Sequence, residues 1–217
     1  MNRLPISFLQ KLIESNNREW FNENKMLYED ARKIIVVFVE SLIEEISLFD
    51  KAVLGLEAKN TIFRIYRDVR FSKDKTPYKT AFGSYIAPGG RKSAKAGYYL
   101  HIEPGNSFLA GGMHSPPKEQ LAKVRQEIFY NSTEFKAIIG TKEFKQNFET
   151  VKGEKLKRPP KGFPADFAEI ELLKHKDFIV INKLTDAFVL SEDFLENSVK
   201  LFKEMKSFND FLNRAID

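Results

Sequence analysis

A chain of 217 residues with 42% hydrophobic residues and 20 phenylalanines can bury a large aromatic core, in one large domain or two small ones, and is too apolar to be disordered throughout. It contains no cysteine, which removes disulfides, thiolate catalysis and cysteine-held metals together. The formal charge of +5 mildly favours anionic partners, and where the charge sits says more than its sum.

No apolar run approaches the roughly 18–20 residues of a membrane helix; the longest covers residues 34–39. The first residues, Met1-Asn2-Arg3-Leu4-Pro5, lack the apolar core and cleavage site of a signal peptide. A cytoplasmic protein without a membrane partner is therefore the expectation.

Residues 5–13 read as a short helix, with Pro5 at its start and Phe8, Leu9, Leu12 and Ile13 on one face. Asn16-Asn17 breaks it and offers a cap. From Arg18 the spacing stays helical to about Ile46, as one bent helix or two in line. Residues 61–66 alternate and are rich in β-formers, which predicts a strand. A polar connection follows over 68–77, then strands over 80–87, 97–103 and 107–113, separated by Gly/Pro turns at 88–93 and 104–106. Turns this short imply an antiparallel meander. Pro116-Pro117 opens a helical region that runs towards Phe148, and residues 152–164 form a Pro/Gly/Lys loop. A helix over 166–173 capped by Asp166, a strand over 178–184 and a final helix opening at Ser191 complete the chain. The order argues for one α+β domain, 1–217, with a largely antiparallel sheet covered by helices.

The most informative stretch lies in the middle. Between Arg64 and Lys79 stand six basic side chains (Arg64, Arg67, Arg70, Lys73, Lys75, Lys79) against two acidic ones (Asp68, Asp74), with Tyr66 and Tyr78 among them. Guanidinium groups bind phosphate or carboxylate in pairs of hydrogen bonds, and aromatic faces stack on rings. On a strand over 61–66, Arg64 and Tyr66 point to one face, with Phe63 and Ile65 on the other. Such a cluster repels itself unless counter-charges are near. Either Glu19, Glu23 and Glu29 of the helices complete the pairs, or a ligand does.

Asn16-Asn17-Arg18-Glu19-Trp20-Phe21 with Asn24-Lys25, the run Phe63-Arg64-Ile65-Tyr66-Arg67-Asp68-Val69-Arg70-Phe71-Ser72-Lys73-Asp74-Lys75-Thr76-Pro77-Tyr78-Lys79, Tyr98-Tyr99-Leu100-His101-Ile102, and Leu172-Leu173-Lys174-His175-Lys176 together resemble the bacterial and fungal DUF2461 family. The resemblance covers nearly the whole chain. It implies a single soluble domain and supplies no catalytic residue.

Other patterns carry less. A second basic run over 155–162 could meet the first across a cleft, or be an exposed solubilising loop. Ser72-Lys73-Asp74-Lys75 matches Ser-x-x-Lys, but Lys79-Thr80 is followed by Ala81, not glycine, so the accompanying motif is absent. His101 and Glu103 share a strand face, a spacing that fits a metal pair, an acid–base pair or a packed, hydrogen-bonded histidine. Gly89-Gly90-Arg91-Lys92-Ser93 lacks phosphate-loop spacing and reads as a hairpin tip. Trp20-Phe21 beside Arg18 and Lys25 could be a stacking platform, though such a pair more often anchors a helix in the core. No metal set and no cofactor motif is found.

Three readings follow. The first is a module binding an anionic small molecule or nucleic acid through Arg64, Tyr66, Arg67, Arg70, Lys73, Lys75, Tyr78 and Lys79. The second is a hydrolase or transferase on a phosphorylated or carboxylate substrate, with Asp68 or His101 moving protons. The third is a scaffold whose arginines are paired internally. No complete catalytic set can be assembled from spacing, which puts binding first.

Overall fold

The computed structural model describes all residues, 1–217. Its first helix, α1 (Leu4–Glu14), starts on Pro5 and buries Phe8, Leu9 and Leu12. Asn17 then caps α2 (Arg18–Glu23) by accepting the Trp20 amide at 2.9 Å. One residue, Asn24, separates it from α3 (Lys25–Phe49), so the long helical pattern resolves into two helices.

Four strands form one antiparallel sheet in chain order: β1 (Phe82–Ile86), β2 (Gly97–Ile102), β3 (Phe108–Met113) and β4 (Phe178–Lys183). This is the predicted meander, with β4 added after a helical excursion. That excursion comprises α4 (Lys118–Tyr130), α5 (Ser132–Gly140), α6 (Lys142–Phe148) and α7 (Ile170–Leu173). After β4 come α8 (Asp186–Leu190) and α9 (Phe194–Arg214).

The strand expected over 61–66 does not form. Ile62 pairs singly with Ser84 of β1, and Tyr66 pairs singly with Tyr78. The segment is extended but shared between two partners, so neither side builds a continuous ladder. The helix expected from Asp166 is only α7. The Phe167 amide bonds the Pro164 carbonyl and the Ile170 amide bonds that of Phe167, making turns before it. The last helix opens at Phe194, because the Ser191 hydroxyl closes α8 by donating to the Phe188 carbonyl.

The helices pack on one sheet face. Phe8 of α1 meets Phe82 at 6.1 Å, Phe202 of α9 meets Tyr98 at 5.4 Å, and Phe135 of α5 meets Phe178 at 6.4 Å. Phe38 of α3 stacks on Phe194 at 4.8 Å, tying the two long helices together. One continuous core of 42 buried residues results. Across the sheet, Tyr85, Tyr99, His101, Phe108, Ile179 and Ile181 point the other way and remain half-exposed. No helix is long and apolar enough to cross a membrane.

Candidate functional site

The central basic–aromatic stretch divides. Of its aromatic residues Tyr78 turns inward, while Phe71 stays exposed. Tyr78 is buried and stacks on Phe21 at 3.9 Å, and Tyr66 leans on both rings at 6.0 and 5.4 Å. Asn16 fixes this corner, donating to the Tyr78 carbonyl and accepting its amide. Trp20 packs against the same core, as read from the sequence.

Part of the basic half is neutralised locally. Arg67 pairs with Asp74 at 2.5 Å and also bonds the Thr76 hydroxyl. The Thr76 amide, then Arg67 and the Thr76 hydroxyl, hold the Asp74 carboxyl well below its usual range, at about 2. Arg70 grips Asp68 with two bonds of 2.6 and 2.9 Å. Asp68 is therefore an exposed counter-ion to Arg70. Lys75 donates to the Val69 carbonyl, which also accepts the Ser72 amide. The counter-charges are those of the loop itself. Glu19, Glu23 and Glu29 join none of these pairs, because Asp68 and Asp74 lie two and seven residues from the arginines they serve.

Arg64, Lys73 and Lys79 take part in no ion pair. Lys79 lies 5.3 Å above the Phe63 ring, and its pKa is lowered by burial and then by the neighbouring charge of Arg64. Phe63 in turn meets Tyr99 edge-on at 6.3 Å. Through Phe63, Lys79 thus lies beside the half-exposed face of the sheet.

There, three residues of β2 and its end form a line. The Tyr99 hydroxyl lies 3.1 Å from His101 Nδ1, and His101 Nε2 lies 3.2 Å from Glu103 Oε2. Strand alternation explains the line, since residues two apart share a face. Thr80 and Asn106 donate to Glu103 at 2.6 and 2.8 Å. Burial works against the Glu103 carboxylate, yet the bonds from Thr80, Asn106 and His101 outweigh it and keep its pKa below the ordinary value. Burial lowers the His101 pKa, against the pull of Glu103, so the ring is neutral near pH 7. His101 is thus both packed and hydrogen-bonded, with its ring stacked on Phe108 at 4.5 Å.

The other histidines lie apart. His114 follows β3 and His175 precedes β4, at the far end of the sheet from His101, roughly 20 Å away at about 3.3 Å per residue. No three metal-ligating side chains converge anywhere. The second basic run does not face the first. Its Leu156 amide bonds the Lys174 carbonyl beyond the β4 edge, whereas Ile62 lies beyond β1, so the whole width of the sheet separates them. The Gly89–Ser93 tip is the β1–β2 connection. Two hollows, of about 430 Å³ beside Asn182, Thr185 and Glu204 and about 370 Å³ beside Arg3, Gln10 and Asp186, include none of the central cations.

Sequence reasoning grouped His101 with Glu103 but passed over Tyr99 and Thr80. Tyr99 shares the parity of His101 on the same strand, a signal present in the sequence; Thr80 comes from another segment and left none.

Fold and site together define an α+β protein with one sheet face packed by helices and the other bearing an aromatic, hydrogen-bonded cluster, with Lys79 beside it through Phe63. A family model described as "Conserved hypothetical protein (DUF2461)" matches residues 5–211, and the chain belongs to that family. No curated protein and no solved structure matches the chain.

Proposed function

We propose that the protein binds an anionic ligand, bearing phosphate or carboxylate, on the half-exposed sheet face at Arg64 and Lys79. One observation carries this reading: Lys79 stands over Phe63, which meets Tyr99 of the sheet face, and neither Lys79 nor Arg64 has a carboxylate partner. An anion between them would relieve their repulsion and gain charge-assisted hydrogen bonds. Lys73, exposed on the adjoining loop, adds a third positive charge. Arg67, Arg70 and Lys75 shape the loop. A small anion fits better than nucleic acid, because three unpaired cations would give a salt slope of only about −2.7, at about −0.9 per phosphate neutralised. The cysteine-free composition suits a cytoplasmic setting.

Titration of the ¹⁵N-labelled protein with inorganic phosphate and pyrophosphate tests the reading. Shifts should centre on Arg64, Lys79 and Tyr99, and Arg64→Ala or Lys79→Ala should each weaken binding about tenfold or more. Arg67→Ala should leave affinity unchanged. Absence of any shift at millimolar pyrophosphate ends it.

A second reading, a hydrolase or transferase acting on such a ligand, is favoured by the His101–Glu103 pair on the same face.

A further inference from the structure

We infer that Tyr99, His101 and Glu103 form a nucleophile–base line, in which the Tyr99 phenol attacks an electrophilic ligand and His101 takes its proton. The inference uses the location argued for the anion site but not the ligand bound there.

The hydrogen bonds fix the direction of transfer. Glu103 is held as a carboxylate by Thr80 and Asn106, and a carboxylate 3.2 Å from Nε2 requires the ring proton to sit on Nε2. Nδ1 is then bare, and accepts the Tyr99 hydroxyl at 3.1 Å. That hydroxyl makes no other hydrogen bond, which leaves its second lone pair without a partner in the protein. The order phenol, imidazole, carboxylate is that of nucleophile, base and orienting group in covalent catalysis.

Two further features fit an oriented group. Position 83, opposite His101 in the β1–β2 register, is glycine. A Cβ there would stand 2.6 Å from the Tyr99 hydroxyl oxygen, so the missing side chain is the space in which the phenol lies. Phe108, stacked at 16° on the imidazole, holds the plane of that ring. Burial and the Glu103 charge push the Tyr99 phenol up to about 12. Unassisted, it would react more slowly than an exposed tyrosine. Selective reactivity would therefore report proton transfer to His101 and not simple ionisation.

The step balances with an arylsulfonyl fluoride as the electrophile. The phenol oxygen forms the S–O bond, the S–F bond breaks, fluoride leaves, and the phenol proton passes to His101 Nδ1 while Glu103 offsets the imidazolium charge. On a phosphoryl or acyl ligand the same attack moves that group to the Tyr99 oxygen, and His101 returns the proton to the leaving group. Glu103 acts through His101 and is a positioning residue.

The test is to treat the full chain with benzenesulfonyl fluoride and 4-(fluorosulfonyl)benzoate, and to map adducts by peptide mass spectrometry. Tyr99 should be modified at least tenfold faster than Tyr130 and Tyr66, although these are 69% and 49% exposed. His101→Gln should remove that advantage. Gly83→Ala, which displaces only the tip of the Tyr99 ring, should do the same while leaving the melting temperature near that of the parent. Long-range ¹H–¹⁵N spectra should place the His101 proton on Nε2, and Glu103→Gln should mix the tautomers. Labelling of Tyr99 no faster than Tyr130, or a proton on Nδ1 in the parent, overturns the inference. Tyr99-selective labelling by the neutral reagent, with no pyrophosphate binding and no advantage for the carboxylate reagent, would sink the anion reading alone.

Discussion

Arg64 and Arg67 stand three residues apart and have opposite environments. Arg67 is three-quarters buried and ties the ends of its loop through Asp74 and Thr76, whereas Arg64 is exposed and unpaired. The two should separate stability from binding. Arg67→Ala removes an ion pair on an exposed carboxylate, a type of contact that contributes little, and should lower Tm by less than about 4 °C. Arg64→Ala should leave Tm unchanged and weaken the anion. A scan calorimeter and the pyrophosphate titration, run on both variants, check the contrast. A large Tm loss in Arg64→Ala would mean that Arg64, too, serves the scaffold.

At the scale of elements, β3 depends on a glycine that no alternation pattern would single out. Gly112 has φ of +104°, and a Cβ there would meet the Phe178 carbonyl at 2.0 Å. Gly112→Ala should therefore cost at least about 2 kcal/mol, a Tm drop of roughly 4–8 °C measured by thermal melting. A variant that melts with the parent would show that β3 and β4 can separate without penalty. The pleat of β2 was legible because Tyr98, Leu100 and Ile102 alternate with Tyr99, His101 and Glu103, and the long helices because their apolar steps persist. The segment over 61–66 misled for a physical reason: alternation reports that a chain is extended, not which neighbour it pairs with. α8 was passed over because five residues are too few to show a period, although Thr185 caps it. Of the site, the cationic stretch and the His101–Glu103 pair were legible. The burial of Tyr78 against Phe21, and the local pairing of Arg67 and Arg70, depend on where the loop folds back, which composition does not encode.

At the scale of the whole molecule, the buried histidine sets how the fold meets acid. His175 is 3% exposed, its Nδ1 has no partner, and burial with the nearby Lys155 charge pushes its pKa down to about 4, against Asp177 and Glu171, which act to raise it. Arg125 donates to the His175 carbonyl from α4, and a guanidinium cation does nothing to steady an imidazolium. Below about pH 6.5 the unfolded chain takes up a proton here that the folded chain refuses until about pH 4. The unfolded state binds more protons in that window, so stability falls as pH falls through it, by at most about 3 kcal/mol. His101, lowered in the same direction, adds to the slope. Depressed carboxylates such as Asp74 act at lower pH, where their stabilisation is lost as pH falls from about 3.8 to about 2. Urea titrations of the parent and of His175→Leu at pH 7, 6, 5 and 4.5 separate these contributions. The parent should lose stability across the series, and the variant should lose distinctly less, whatever its stability at pH 7. Equal slopes would mean that His175 takes its proton while the protein is still folded, which requires the α4–α7 corner around it to open to water before the sheet gives way.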